Sequence, residues 1–237
     1  MSSPVHEIRD GLRDIAPAMV AAIPIGLLFG ALCAGKGLSP AEVALMGGLV
    51  FAGGAQFAAV EVWRTPAPIG VLAFSTLLIN ARHILMGASL APKIARFAPW
   101  KRALGVFTMA DENWAMAERR ALRRPLTFAY FAGTGALFWL NWVIWTTLGA
   151  VGGSFLGDPR RLGADFAFTA LFIGLVAGFW KGRATAVTVA ASAGASALAY
   201  VTAGTPWHVA AGALAGIVAA YSYGAAEPAA AATDSPA

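Results

Sequence analysis

Long stretches without a charged side chain set the elements of this sequence: residues 15–35, 43–60, 65–81, 125–157, 166–180 and 184–226. An α-helix rises about 1.5 Å per residue and needs about 20 apolar residues to cross the hydrocarbon of a bilayer, so most of these stretches can span one. The last is twice that length, and its Gly204-Thr205-Pro206 interruption divides it, which gives seven candidate spans. The stretches are continuously apolar and do not alternate every second position, which favours helices over a β-barrel. The pattern predicts an all-α integral membrane protein of about seven transmembrane helices.

Composition supports this. With 58% hydrophobic and 12% charged residues in 237, the chain has too little polar surface to coat a soluble globule. A net charge of +5 would suggest nucleic acid in a soluble protein; here it is explained by the orientation of membrane spans, and no nucleic-acid partner is expected. Residues 1–14 carry Glu7, Arg9, Asp10, Arg13 and Asp14, which lack the net positive charge of a secretion signal. The first span is therefore expected to be retained, with a short interfacial helix over residues 6–14 leading into it. Cys33 is the only cysteine, so no intramolecular disulfide can form.

A transmembrane domain is expected over 15–226: a first repeat over 15–92, a charged linker over 93–125, a second repeat over 126–205 and a last helix over 207–224. Residues 227–237, rich in Ala and Pro, are expected to be a disordered tail. The repeat rests on an offset of 115, which lays residues 51–57 over 166–172, span one over span four and span three over span six. Two three-helix repeats plus one terminal helix is an arrangement of secondary transporters, and three spans per repeat would make the repeats inverted if the linker does not cross. Chance similarity between Ala-rich helices is the alternative. The linker holds Lys93, Arg96, Lys101, Arg102, Arg119, Arg120, Arg123 and Arg124, which places at least part of it in the cytoplasm. Within it, residues 103–117 are mostly apolar and fit a surface helix, a re-entrant hairpin or a short span, which leaves the side of the N-terminus open.

Polar or helix-breaking groups inside apolar stretches mark candidate sites. Pro17, Pro24, Gly26 and Gly30 share one span, where proline frees backbone carbonyls or merely kinks the helix. Gly53 and Gly54 permit unwinding or close packing, and the Gln56 amide beside them offers a donor and an acceptor for a ligand or a neighbouring helix. Asn80, Arg82 and His83 lie in an apolar region over 66–92. One continuous helix would bury them, whereas a break near Asn80 would put Arg82 and His83 at the interface. Arginine can hold a carboxylate, and histidine changes charge near neutral pH. Asp111 and Glu112, with Asn113, are acidic in a basic segment; they suit proton coupling, pairing with Arg82, or a solvated face. GxxxG pairs at Gly26 and Gly30, Gly149 and Gly153, Gly174 and Gly178, and Gly212 and Gly216 predict close helix packing. His6, His83 and His208 are scattered beside a single cysteine, and there is no Walker A loop, so no metal, cofactor or ATP hydrolysis is expected.

The order of these blocks resembles the AzlC-type, or YgaZ-like, large subunit of branched-chain amino acid exporters. The resemblance rests on residues 9–30 with Pro17, Pro24 and Gly26, on the block from Phe51 to Phe57, on Asn80, Arg82 and His83 within 78–85, and on Met109, Ala110, Asp111 and Glu112. It covers about the first 120 residues, and Met109-Ala110 stands where many relatives have Leu-Thr. It implies a bacterial inner-membrane exporter of branched-chain amino acids that works with a small AzlD-type membrane subunit. Gln56, Asn80, Arg82, His83, Asp111 and Glu112 would then serve substrate binding or a proton-driven cycle. The rival expectation is a membrane enzyme acting on a lipid or polyprenyl substrate, with His83, Asp111 and Glu112 as its reactive groups.

Overall fold

The structure, a computed structural model, describes residues 3–156, 173, 176–177, 180, 182–204 and 207–233. Among the described residues every regular element is a helix. Residues 1–66 and 80–167 form one unit, and 67–79 with 168–237 a second.

The first unit is organised around α1 (Pro4–Gly35) and α8 (Phe128–Leu156). Pro4 starts α1, and the helix then runs through Pro17 and Pro24 without ending. No separate interfacial helix forms over 6–14, because Glu7 and Gly11 are buried in α1's packing rather than lying on a surface. Ile8 lies against Gly133, Met19 accepts a hydrogen bond from Asn141, and Ala31 lies against Gly153, so the two helices run in the same direction. A Cβ on Gly30 would collide with the Thr146 carbonyl, and one on Gly149 with the Leu27 carbonyl; the first two GxxxG pairs thus bring these backbones into contact. Gly26 and Gly30 accordingly serve packing, Pro24 lies on the exposed side, and α1 is not unwound there.

The expected second span, 43–60, is two short helices, α2 (Pro40–Leu49) and α3 (Gly53–Glu61). A capping box between Ser39 and Glu42 starts α2. Descending along α8, Gly47 meets Val143 and Thr146, the Gly48 carbonyl accepts from the Trp139 indole, and Phe51 packs on Phe138. The chain then turns back: Gln56 bonds Trp142, Phe57 reaches Phe29, and Lys36 donates to the Glu61 carbonyl at 3.1 Å. Both ends of the segment therefore lie beside the end of α1. Helices of 10 and 9 residues cover about 15 Å each, half of what a crossing needs.

After α4 (Ile69–Asn80) and α5 (Arg82–Ile94), the charged segment folds as α6 (Pro99–Phe107) and α7 (Asp111–Ala121). Trp100 packs on Phe128, Gly105 on Phe131 and Thr108 on Gly135, so α6 follows α8. Then α7 returns: Ala110 and Met116 pack in the Ile15, Ala22 and Phe138 cluster, and Arg120 reaches Glu7 at 2.7 Å. Of the three forms open to 103–117, the hairpin is found. Its base and the start of α1 lie at one end of the unit, and the base of α2 and α3 at the other.

In the second unit, α9 (Arg183–Thr202) packs against α10 (Trp207–Thr233), with Gly212 on Ser192 and Ser196 and Gly216 on Ser192. Phe74 of α4 lies 5.2 Å from Trp207. The Ala-rich stretch expected to be a disordered tail continues α10 to Thr233, in keeping with alanine's helix propensity.

Among the described residues four helices are long and apolar enough to cross a membrane: Pro4–Gly35, Ile69–Ile94, Phe128–Gly153 and Arg183–Thr202. Their surfaces carry bare aliphatic side chains such as Leu77, Ile84 and Leu198, all more than 60% exposed, as lipid-facing positions do. The expected span 166–180, the Gly174 and Gly178 pair and the repeat match at 166–172 lie largely outside the described residues. The first and fourth expected spans, α1 and α8, run in the same direction, whereas inverted repeats would run them oppositely.

Candidate functional site

Three interruptions of helix come together in the first unit. Val50 and Ala52 adopt non-helical dihedrals, and α3 then starts with no side-chain cap, so its first N–H groups have no partner within the helix. Between α6 and α7, Ala110 is extended, and the fully buried Asn113 holds the turn. Its Oδ1 accepts the Ala110 N–H at 2.7 Å, and its Nδ2 donates to the Thr108 carbonyl at 3.2 Å. The third is the joint of α4 and α5 at Ala81, which keeps helical dihedrals, so the change there is slight. The region is thus both one long apolar run and jointed next to Asn80.

A cavity of about 200 Å³ opens where the three meet. Leu49, Val50, Phe51 and Ala52 line it from the first hairpin, Asn80 and His83 from the joint, and Val106, Phe107 and Met109 from the second hairpin. It is a shallow, open cleft in which apolar side chains stand beside the polar groups of Asn80 and His83 and the backbone of the first hairpin. The Asn80 Oδ1 is buried without a hydrogen-bond partner. The His83 Nδ1 lies 3.2 Å from the Asn80 carbonyl, which can only accept, so Nδ1 carries the proton and Nε2 is left as an acceptor.

Beside the cavity, Arg82 pairs with Asp111 at 2.7 Å, both side chains about two-fifths exposed. These are the first residues of α5 and α7. Asp111 is favoured at its helix N-terminus, and the pair ties one joint to the other. Glu112 is half-buried next to it.

Gln56 does not line the cavity. It is buried behind the first hairpin, where its Nε2 donates to the Met46 carbonyl at 3.0 Å and its Oε1 accepts the Trp142 indole N–H at 2.8 Å. The amide joins the two arms of the hairpin to each other and to α8. Gly53 sits in the same place, 3.5 Å from the Trp142 ring for a Cβ added there, and Gly54 follows it in the first turn of α3. Of the residues singled out from sequence, then, Asn80 and His83 face the cavity, Arg82, Asp111 and Glu112 flank it, and Gln56, Gly53 and Gly54 support it. Trp142 and the bracing role of Asn113 were not foreseen. The signal for the first was the polar pair Asn141-Trp142 in the middle of an apolar stretch. Among the described residues no three His, Cys, Asp or Glu side chains gather as a metal site.

Long apolar helices, with two helical hairpins whose tips meet a helix joint at a polar-edged cavity, define a polytopic membrane protein with discontinuous helices. The chain belongs to the AzlC family: the family model described as AzlC protein matches residues 17–156. It is 30% identical over 188 residues to the inner membrane protein YgaZ of Escherichia coli K12, covering 76% of this chain and 77% of that one. It is 32% identical over 194 residues to an uncharacterized membrane protein of Archaeoglobus fulgidus, covering 81% and 84%. The branched-chain amino acid transport protein AzlC of Bacillus subtilis 168 is 29% identical over 151 residues, 63% of this chain and 58% of that protein. No solved structure matches.

Proposed function

We propose that the chain is the large subunit of an exporter of branched-chain and similar aliphatic amino acids, working with a small AzlD-type membrane partner in the bacterial cytoplasmic membrane. The observation that carries this is the cavity at the tips of the two hairpins and the Asn80 joint. Broken helices supply transporters with free backbone groups at mid-membrane, where a zwitterion needs donors for its carboxylate and acceptors for its ammonium. The Asn80 amide Nδ2 offers a donor to the carboxylate, and the unpaired Asn80 Oδ1 and the His83 Nε2 offer acceptors to the ammonium. Leu49, Val50, Phe51, Val106 and Phe107 accept the aliphatic side chain. The name of the Bacillus subtilis relative supports the substrate class.

Arg82, already paired, organises the cavity instead of binding substrate, and Glu112 or His83 carries the coupling proton. The α2 and α3 hairpin dips into the bilayer from one face and α6 and α7 from the other, so the seven apolar stretches give fewer than seven crossings. The chain is a transport protein, not an enzyme. In proteoliposomes holding this chain and its partner under a proton gradient, valine or leucine flux is expected to fall at least about tenfold on Asn80→Ala or His83→Ala, a loss of about 1.4 kcal/mol or more. Unchanged flux in both variants, with unchanged folding, would remove the cavity from the pathway.

A further inference from the structure

At the far end of the same unit from the base of the first hairpin is a second, larger cavity of about 370 Å³, half open and lined from α1, α7, the turn that follows α7 and the start of α8. Four arginines line it, Arg119, Arg120, Arg123 and Arg124, against one carboxylate, Asp14. Their charges are unequally matched. Arg120 is buried, pairs with Glu7 at 2.7 Å and Asp10 at 3.4 Å, and lies 3.8 Å over the Tyr130 ring. Arg124 pairs with Asp10 at 2.9 Å. The Tyr130 hydroxyl donates to Asp14 at 2.6 Å, which engages one oxygen of the only acid in the lining. Among the described residues no ion pair holds Arg119 or Arg123, and the Arg120 Nε is buried with no hydrogen-bond partner. With Glu7 and Asp10 counted beside Asp14, four guanidinium groups face three carboxylates, and Arg119 and Arg123 are, among the described residues, the ones with no ion pair, so the cavity is short of one anion.

Its position says which anion. In α1 the charged residues end at Asp14 and the apolar run begins at Ile15, so Asp14 and Tyr130 mark the level at which the chain passes from water to hydrocarbon. Basic pockets at that depth meet phospholipid phosphates, and planar guanidinium forks match phosphate oxygens. We propose that this cavity binds a phosphate group, with Arg119 and Arg123 as its principal donors and the buried Arg120 as its floor. An anionic phospholipid supplies that group from the membrane, and a soluble phosphate would use the same donors. Occupation would also brace the base of the second hairpin against α1, since Arg120 already joins them.

The test uses the full chain in nanodiscs of phosphatidylcholine, with and without phosphatidylglycerol, and separately in millimolar inorganic phosphate against chloride of equal ionic strength. Phosphatidylglycerol is expected to raise the unfolding midpoint by about 4 °C and to be retained in native mass spectra. Arg119→Gln with Arg123→Gln, both exposed positions, is expected to abolish the shift, while Arg9→Gln with Arg102→Gln, exposed positions outside the cavity lining, keeps it. Stabilisation by inorganic phosphate alone, lost in the same double variant, assigns the site to a soluble phosphate. No shift from either source, or a shift that survives in the double variant, overturns the proposal.

Discussion

Arg82 and Asp111 face each other across 2.7 Å at the first residues of α5 and α7, so one ion pair joins the helix joint at Ala81 to the tip of the second hairpin. Both side chains are about two-fifths exposed, and water screens such a pair to about 0–1 kcal/mol of stability. Its removal is therefore expected to spare folding and to harm transport, because the geometry of the cavity depends on where the joint and the tip sit. Arg82→Ala and Asp111→Ala should each reduce amino acid flux about tenfold or more with a melting midpoint within a few degrees of the parent. The reversed pair, Arg82→Asp with Asp111→Arg, should recover part of that flux. Recovery would be incomplete, since arginine is disfavoured at the start of α7. Equal losses of flux and stability in the single variants would make the pair a structural strut only.

Gln56 behaves in the opposite way. It is fully buried, and both ends of its amide are bonded, to Met46 and to Trp142. Gln56→Leu keeps the volume but leaves the Trp142 indole N–H without a partner, at a cost of about 1–3 kcal/mol. Adding Trp142→Phe removes that orphan donor, so the double variant should be closer to the parent than Gln56→Leu alone. Additive losses in this cycle would show that the two residues do not act through their hydrogen bond.

The apolar stretches identified the membrane class and the long helices without help from structure, because a rod crossing lipid must be apolar along its whole length. The first hairpin was not legible on the same criterion, whereas a hairpin over 103–117 was one of three forms the sequence left open. Residues 43–60 are as apolar as a span, and what folds them back is the fit of Gly47, Gly48 and Gly53 to the Trp139 and Trp142 side of α8, a relation between segments about 90 residues apart. The site was legible in part. Asn80, Arg82, His83 and Asp111 stood out as polar groups in apolar or oppositely charged surroundings. The role of Gln56 was not, since a buried amide that supports a hairpin and one that binds a ligand look alike until its partners are known. Trp142 was hidden by being counted as apolar, although its indole N–H must find an acceptor when buried.

The contact of α1 with α8 makes a sharp prediction about glycine. A side chain at Gly30 would collide with the Thr146 carbonyl and the Ala150 backbone, which cannot move away as a flexible side chain could. Gly30→Leu is expected to cost about 1–3 kcal/mol or more and to lower the yield of folded protein. Gly87 of α5 has nothing within 4 Å of an added Cβ, so Gly87→Ala should be neutral or slightly stabilising through helix propensity. Thermal unfolding of the two variants in one detergent checks both.

The two hairpins predict a labelling pattern that no arrangement of simple crossings gives. Lys36 bonded to the Glu61 carbonyl puts both ends of α2 and α3 on one face of the membrane, and Arg120 bonded to Glu7 puts the end of α7 with the N-terminus. Basic residues are retained on the cytoplasmic side, so the face holding Arg119, Arg120, Arg123 and Arg124 is expected to be inside. Cys33 is the only cysteine and is buried, so its replacement by Ala leaves a background for single cysteines. In intact cells, cysteines at Ser39 and Arg64 should both react with a membrane-impermeant maleimide. Cysteines at Ser3, Ala98 and Leu122 should react only after the membrane is opened. If 43–60 crossed as a single helix, Ser39 and Arg64 would report opposite sides, and if 103–117 crossed, Ala98 and Leu122 would. The assay reads each hairpin separately, and a split result for either pair would discard that hairpin while leaving the other standing.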